Sequence, residues 1–128
     1  MFEKLYKVKA SRQEGSTFCF DVELDAAHQI YGAHFPGNPI TPGACQLEML
    51  RQLASEASGK DLSVAEVRSI KYLNVIDPVN TPGIEVVFDL TEDDGRIKCS
   101  ARIKNEDAVF TKAVMYLSFA NAKPSNIQ

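Results

Sequence analysis

The chain contains no tryptophan, only two histidines, and three cysteines that make no pairable set. Cys19, Cys45 and Cys99 are odd in number and show neither a C-x-x-C pair nor a metal-ligand spacing, which argues against a disulfide scaffold and a structural zinc site. No apolar run approaches the ~18 residues of a membrane helix. The opening MFEKLYKVKAS alternates charge with hydrophobe where a secretory leader would carry a basic head and a continuous apolar segment. The expectation is a cytoplasmic chain in a reducing compartment, without membrane insertion. Its 14 basic and 17 acidic residues are interspersed, giving a net charge of -3 with no lysine and arginine stripe. Nucleic acid is therefore not an expected partner. A length of 128 residues suits one domain, expected over 1–119, with a frayed tail at 120–128 that has nothing to bury.

What the chain does have is alternation. Residues 17–24 put Phe18, Phe20, Val22 and Leu24 on one side, and residues 3–10 alternate less cleanly before the turn candidate Gln13-Glu14-Gly15-Ser16, so the two predict an opening hairpin. Further strands are read at 66–75, 83–90, 96–103 and 108–119, with the sharpest reversal at Asp94-Gly95. Between them lies one helical stretch. Thr41 is placed as N-cap and Pro42 at the first helical position, Gly43, Leu47, Leu50, Leu53, Ala54 and Ala57 form an apolar stripe, and Gly59 ends it after roughly four turns. One amphipathic helix among about six strands predicts an α+β domain, with a curled antiparallel sheet wrapped around a central helix.

The segment His34-Phe35-Pro36-Gly37-Asn38-Pro39-Ile40-Thr41-Pro42-Gly43 spends three prolines immediately before that helix. A helix beginning at Pro42 exposes unpaired N–H groups, and Gly43 has no side chain to shield its amide, so the site favours an oxygen that becomes anionic. A histidine base beside such a donor can remove a proton next to a carbonyl. Glu48 has two readings: a partly buried carboxyl whose pKa is raised so that it serves as general acid, or an ion pair with Arg51 at i+3. Thr41 complicates the site if its hydroxyl caps a first-turn amide. Cys45, in the first turn, is read as a small hydrophobe rather than a nucleophile. His28 is read as a solvated or hydrogen-bonded surface group.

The string H-F-P-G-x-P-x-x-P-G with a glutamate fourteen residues after the histidine resembles the active-site motif of the hotdog-fold 3-hydroxyacyl-[acyl-carrier-protein] dehydratases, in the dehydration-only branch. The resemblance implies that a base at His34 takes the Cα proton of a (3R)-3-hydroxyacyl thioester, that Glu48 handles the departing hydroxyl, and that the Gly43 amide holds the thioester oxygen. It implies a homodimer with composite sites, a trimer of dimers being left open, and an acyl carrier protein as partner. No metal or other cofactor is implied, phosphopantetheine arriving with the substrate. Phe35, Cys45 and Gln46 are candidates for the substrate channel, with Gln46 either bonding there or orienting Glu48. Arg68 and Lys71, with Lys60 or Arg102, are candidates for carrier binding. The same equipment would suit a hotdog thioesterase, an enoyl-CoA hydratase, or a low-activity acyl-binding partner subunit.

Overall fold

The computed structural model describes residues 4–33, 37 and 39–119. Six strands, β1 (Tyr6–Glu14), β2 (Thr17–Leu24), β3 (Leu62–Tyr72), β4 (Gly83–Asp93), β5 (Arg96–Lys104) and β6 (Val109–Phe119), form one sheet with the order β1-β2-β4-β5-β6-β3. Every ladder is antiparallel. Two helices separate β2 from β3: a short α1 (Gln29–Ala33) and α2 (Gly43–Ser58). This is the α+β arrangement expected from the alternation, and the hotdog-like one that the resemblance implies, although α2, at sixteen residues, is of moderate length rather than long.

Local chemistry accounts for the turns. Asp94 and Gly95 both carry positive φ, 54° and 84°, the type I′ geometry whose twist matches the flanking strands. Gly59 sits in the left-handed region at φ 71°, and the Lys60 N–H returns to the Ser55 carbonyl to close the end of α2.

The core lies between α2 and the inner face of the sheet. Met49, Leu50, Leu53 and Ala54 join Val86, Phe88, Cys99, Ile103, Met115 and Leu117 in one buried cluster. Each large aliphatic here contributes about 1.5–3 kcal/mol relative to exposure. The buried stripe is rotated from the expected one: Gln46 and Met49 are deep, whereas Leu47 and Ala57 are only partly covered.

Other boundaries differ too, β4 running on to Asp93 past the expected residue 90. β3 begins at Leu62 rather than Glu66 and stops at Tyr72, because its ladder to β6 starts at Leu62 opposite Phe119. β1 runs on through Gln13 and Glu14, leaving Gly15-Ser16 as the turn. Thr41 does not cap α2. Pro42 occupies the N-cap position without any side-chain bond, and the Thr41 hydroxyl pairs with the Tyr31 hydroxyl at 2.8 Å. The expected fraying of 120–128 lies outside the described residues.

Candidate active site

The start of α2 is built by a residue that cannot donate and one that cannot obstruct. Pro42 holds φ -63° and ψ 149°, turning the chain into the helix, and its carbonyl accepts from the Cys45 and Gln46 amides at 3.0 and 3.1 Å. The Gly43 and Ala44 amides have no hydrogen-bond partner among the described residues. They carry the positive end of the helix. Gly43 lines a pocket of about 490 Å³, open to solvent and largely apolar, together with Ile40, Pro42, Gln46, Tyr72, Leu73 and Val75. The Tyr72 phenol lies so close to the Gly43 Cα that any Cβ there would run into it.

The residue preceding this turn is pinned from three sides. Thr41 donates its N–H to the Ile76 carbonyl at 2.9 Å, accepts at its carbonyl from Gln46 Nε2 at 3.1 Å, and shares its hydroxyl with Tyr31. Gln46 Oε1 accepts in turn from the Thr111 hydroxyl of β6 at 2.5 Å. Gln46 lines this pocket, and its amide bonds to Thr41 and Thr111 rather than orienting Glu48.

Glu48 lies on a different face of α2 and does not line this cavity. Its side chain is 43% exposed and gripped by Arg51 in a fork, Nε to Oε1 at 3.0 Å and Nη2 to Oε2 at 2.8 Å, with Gln52 Nε2 adding a bond to Oε2 at 2.9 Å. Arg51 is anchored by its bond to the Leu62 carbonyl at 2.8 Å, and Gln52 accepts from the Tyr6 hydroxyl at 2.7 Å. The Arg51 hydrogen bonds hold the Glu48 carboxyl below its ordinary range, against a smaller opposing effect of burial. The expected upward shift is therefore wrong for the single chain, and the ion-pair reading is the one realised.

Cys45 packs against the core rather than the cavity, and burial pushes its thiol up, away from a nucleophilic thiolate. His34 and Phe35 lie outside the described residues. His28 is buried rather than at the surface as expected, accepting at Nδ1 from the Ile30 amide.

Among the carrier-binding candidates, Arg68 is committed: it pairs with Glu66 at 3.1 Å and lies over the Tyr116 ring. Lys60 lies over Phe119. Lys71 faces Lys112 directly across the β3–β6 ladder, and Lys112 faces Arg102 across β5–β6. All three are exposed, and none makes an ion pair among the described residues. They border a depression of about 340 Å³.

Sequence reasoning missed Gln52, although its i+4 spacing from Glu48 is a legible signal. Tyr72, Thr111 and Lys112 carried no local signal, since sheet register and the path of β3 place them.

Residues 10–113 match a family model described as ApeI-like, ApeI dehydratase. The chain is 30% identical over 88 residues to the 3-hydroxyacyl-[acyl-carrier-protein] dehydratase FabZ of Lactobacillus helveticus, across 62% of this chain and 60% of that enzyme. It is 29% identical over 68 residues to the FabZ of Ligilactobacillus salivarius, across 48% and 49%. The chain thus spans less than two thirds of the length of these relatives. In fold it is similar to the dehydratase heterocomplex ApeI:P from Xenorhabdus doucetiae, with TM-score 0.72 and 15% identity over 88% of this chain and 97% of that one. The six-stranded sheet and its helix are the architecture that this likeness shows, and the family match spans α2, strands β2 to β5, parts of β1 and β6, and the motif segment: the chain belongs to the ApeI-like dehydratase family.

Proposed function

We propose that this chain removes water from (3R)-3-hydroxyacyl thioesters borne on an acyl carrier protein, giving the trans-2-enoyl thioester in the biosynthesis of a fatty-acid or related acyl chain. The observation that carries the reading is the Gly43 amide, left without a partner among the described residues, in a residue that lines an apolar pocket at the end of the motif segment. A thioester oxygen bonded there is stabilised as it gains negative charge. The imidazole of His34 takes the Cα proton. Glu48, supplied by the second copy of a homodimer, gives a proton to the leaving hydroxyl, and water departs. The elimination consumes no electrons and needs no metal or other cofactor.

The position of Glu48 off the Gly43 cavity supports the cross-subunit arrangement, because one chain does not bring its own carboxyl to its own amide. Strand β3 supports a pairing surface. It is a sheet edge bearing the exposed Val64 and Val67, the kind of edge that takes up another strand. Whether such dimers assemble further in threes is a matter for solution mass.

The row Lys71, Lys112 and Arg102 is the place for the acidic carrier to dock, since three neighbouring cations repel until an anionic surface meets them. We place the protein in the cytoplasm; among the described residues no helix is long and apolar enough to cross a membrane.

The fork of Arg51 on Glu48 favours one other reading, an acyl-binding partner subunit of low activity, because a carboxylate so held does not readily carry a proton. Turnover of the wild-type chain with 3-hydroxyacyl-carrier thioesters of several lengths separates the cases. Loss of water with the thioester intact supports dehydration, release of free thiol supports hydrolysis, and binding without either supports the partner subunit.

A further inference from the structure

Gln46 is 3% exposed in the first turn of a helix whose other deep positions are Met49, Leu50, Leu53 and Ala54. A leucine would suit that burial, and the polar head is matched instead to two polar partners. Its donor goes to the carbonyl of Thr41, five residues back and outside the helical ladder, where the Pro42 carbonyl already takes the Cys45 and Gln46 amides. Its acceptor takes the hydroxyl of Thr111, itself 1% exposed, on β6. A buried bridge of this kind favours one geometry, because rotating the Gln46 amide breaks its bonds to both Thr41 and Thr111. Thr41 is thereby tied to α1 through Tyr31, to the β3–β4 connection through Ile76, and to the sheet through Gln46 and Thr111. The Thr41 carbonyl carbon is bonded directly to the Pro42 ring with its fixed φ, and the Gly43 N–H follows.

We propose that Gln46 is the positioning residue of the Gly43 amide: its bridge from Thr111 to the Thr41 carbonyl locks the peptide leading into Pro42-Gly43, so that the first N–H of α2 faces the cavity. The inference rests on the reading of Gly43 as the amide that holds the thioester oxygen, and it assigns Gln46 no contact with the reacting atoms. An oxyanion donor acts through preorganisation, and a misaligned one loses much of its effect.

Three variants of the full chain test it: Gln46→Leu, Thr111→Val and Gln46→Glu. Gln46→Leu keeps the volume and removes the bridge, and is expected to lower kcat about 10- to 100-fold with KM within about threefold, a smaller loss than deleting an oxyanion donor outright. Thr111→Val, which removes only the outer support, loses less. In Gln46→Glu the protonated carboxyl reproduces both bonds, whereas the carboxylate cannot donate to Thr41. Its kcat is expected near wild type at low pH and to fall as pH rises through the new group, with the thermal midpoint followed at each pH. Burial holds the neighbouring Tyr31 on α1, Cys45 on α2 and Tyr72 on β3 above their ordinary ranges, so they stay neutral across that window.

The backbone 15N and 1H resonances of Gly43 are recorded in every variant without substrate. Their displacement in Gln46→Leu and Thr111→Val supports the positioning role even where the wild-type chain shows no turnover, a result that would overturn the dehydratase reading alone. A folded Gln46→Leu protein with an unmoved Gly43 resonance, or with kcat within twofold of an active wild type, overturns the inference. If Gln46→Leu does not fold, the Thr111→Val resonance decides.

Discussion

Arg51 holds Glu48 by both carboxylate oxygens, at 3.0 and 2.8 Å, one turn along the same helix. The contact joins what a general acid must give up to what a resting subunit needs. Ionised Glu48 is stabilised, and the Arg51 guanidinium is steered to the Leu62 carbonyl at the start of β3. For dehydration, the carboxyl of the proposed acid has to leave this fork or receive its proton within it.

Replacing Arg51 with Met should raise the Glu48 pKa toward the ordinary carboxylate value of ~4.3. Because the folded-state pKa is lowered, the pair stabilises the native state above the unfolded-state pKa, and that contribution disappears as pH falls through the lower folded value. Both groups are partly exposed, so the loss at neutral pH should be about 0.5 kcal/mol. Thermal melts from neutral to acid pH check it: wild type loses the contribution on acidification, and Arg51→Met is flatter over the same range. If Glu48 is the acid, the alkaline limb of kcat moves upward in the variant.

Gly43→Ala places a methyl group against the Tyr72 phenol, whose half-exposed ring can swing toward solvent. Stability should change by less than about 1 kcal/mol, since the clash is with the free end of one side chain. Activity should fall about tenfold or more as the methyl crowds the amide. The double variant Gly43→Ala with Tyr72→Ala should recover part of that loss, measured as a coupling in kcat.

Leu53 is fully buried between α2 and the sheet. Leu53→Ala should cost about 2–5 kcal/mol by chemical denaturation. A value near that of a surface substitution would contradict the placement of the core.

Lys112→Glu should raise KM for carrier-borne substrates while leaving KM for the corresponding pantetheine thioesters unchanged, with a weaker salt dependence than wild type. Relief of repulsion between Lys112 and its neighbours Lys71 and Arg102 should leave the thermal midpoint equal or higher.

How far the sequence spoke depended on how local each determinant was. β5 was legible because Ile97, Cys99, Ala101 and Ile103 strictly alternate with charged and polar residues, and all but the partly covered Ile97 are buried. Asp94-Gly95 and Gly59 were legible because their backbone angles suit few other residues. α1 was missed, since five residues carry too little periodicity, and so was the start of β3, where Leu62 follows the helix closely and its partner Phe119 is distant in sequence. At the site, the motif placed Gly43 at a helix start and the i+3 spacing offered Arg51 to Glu48. Of the two readings of Glu48 that the sequence left open, the pair with Arg51 is the one formed, because the i+3 spacing brings the guanidinium onto both carboxylate oxygens. The bridge from Gln46 to Thr111 and the approach of Tyr72 to Gly43 depend on how β3 and β6 pair, which no local pattern encodes.

The claim on which the rest depends is that His34 of one subunit and Glu48 of the other complete one site. His34→Ala and Glu48→Gln, each inactive alone and each still folded, are mixed in equal amounts, with subunit exchange verified by mass. Half of the exchanged dimers then hold one intact site of two, so the account predicts recovery to about a quarter of wild-type dehydration. No recovery in a fully exchanged mixture would contradict it.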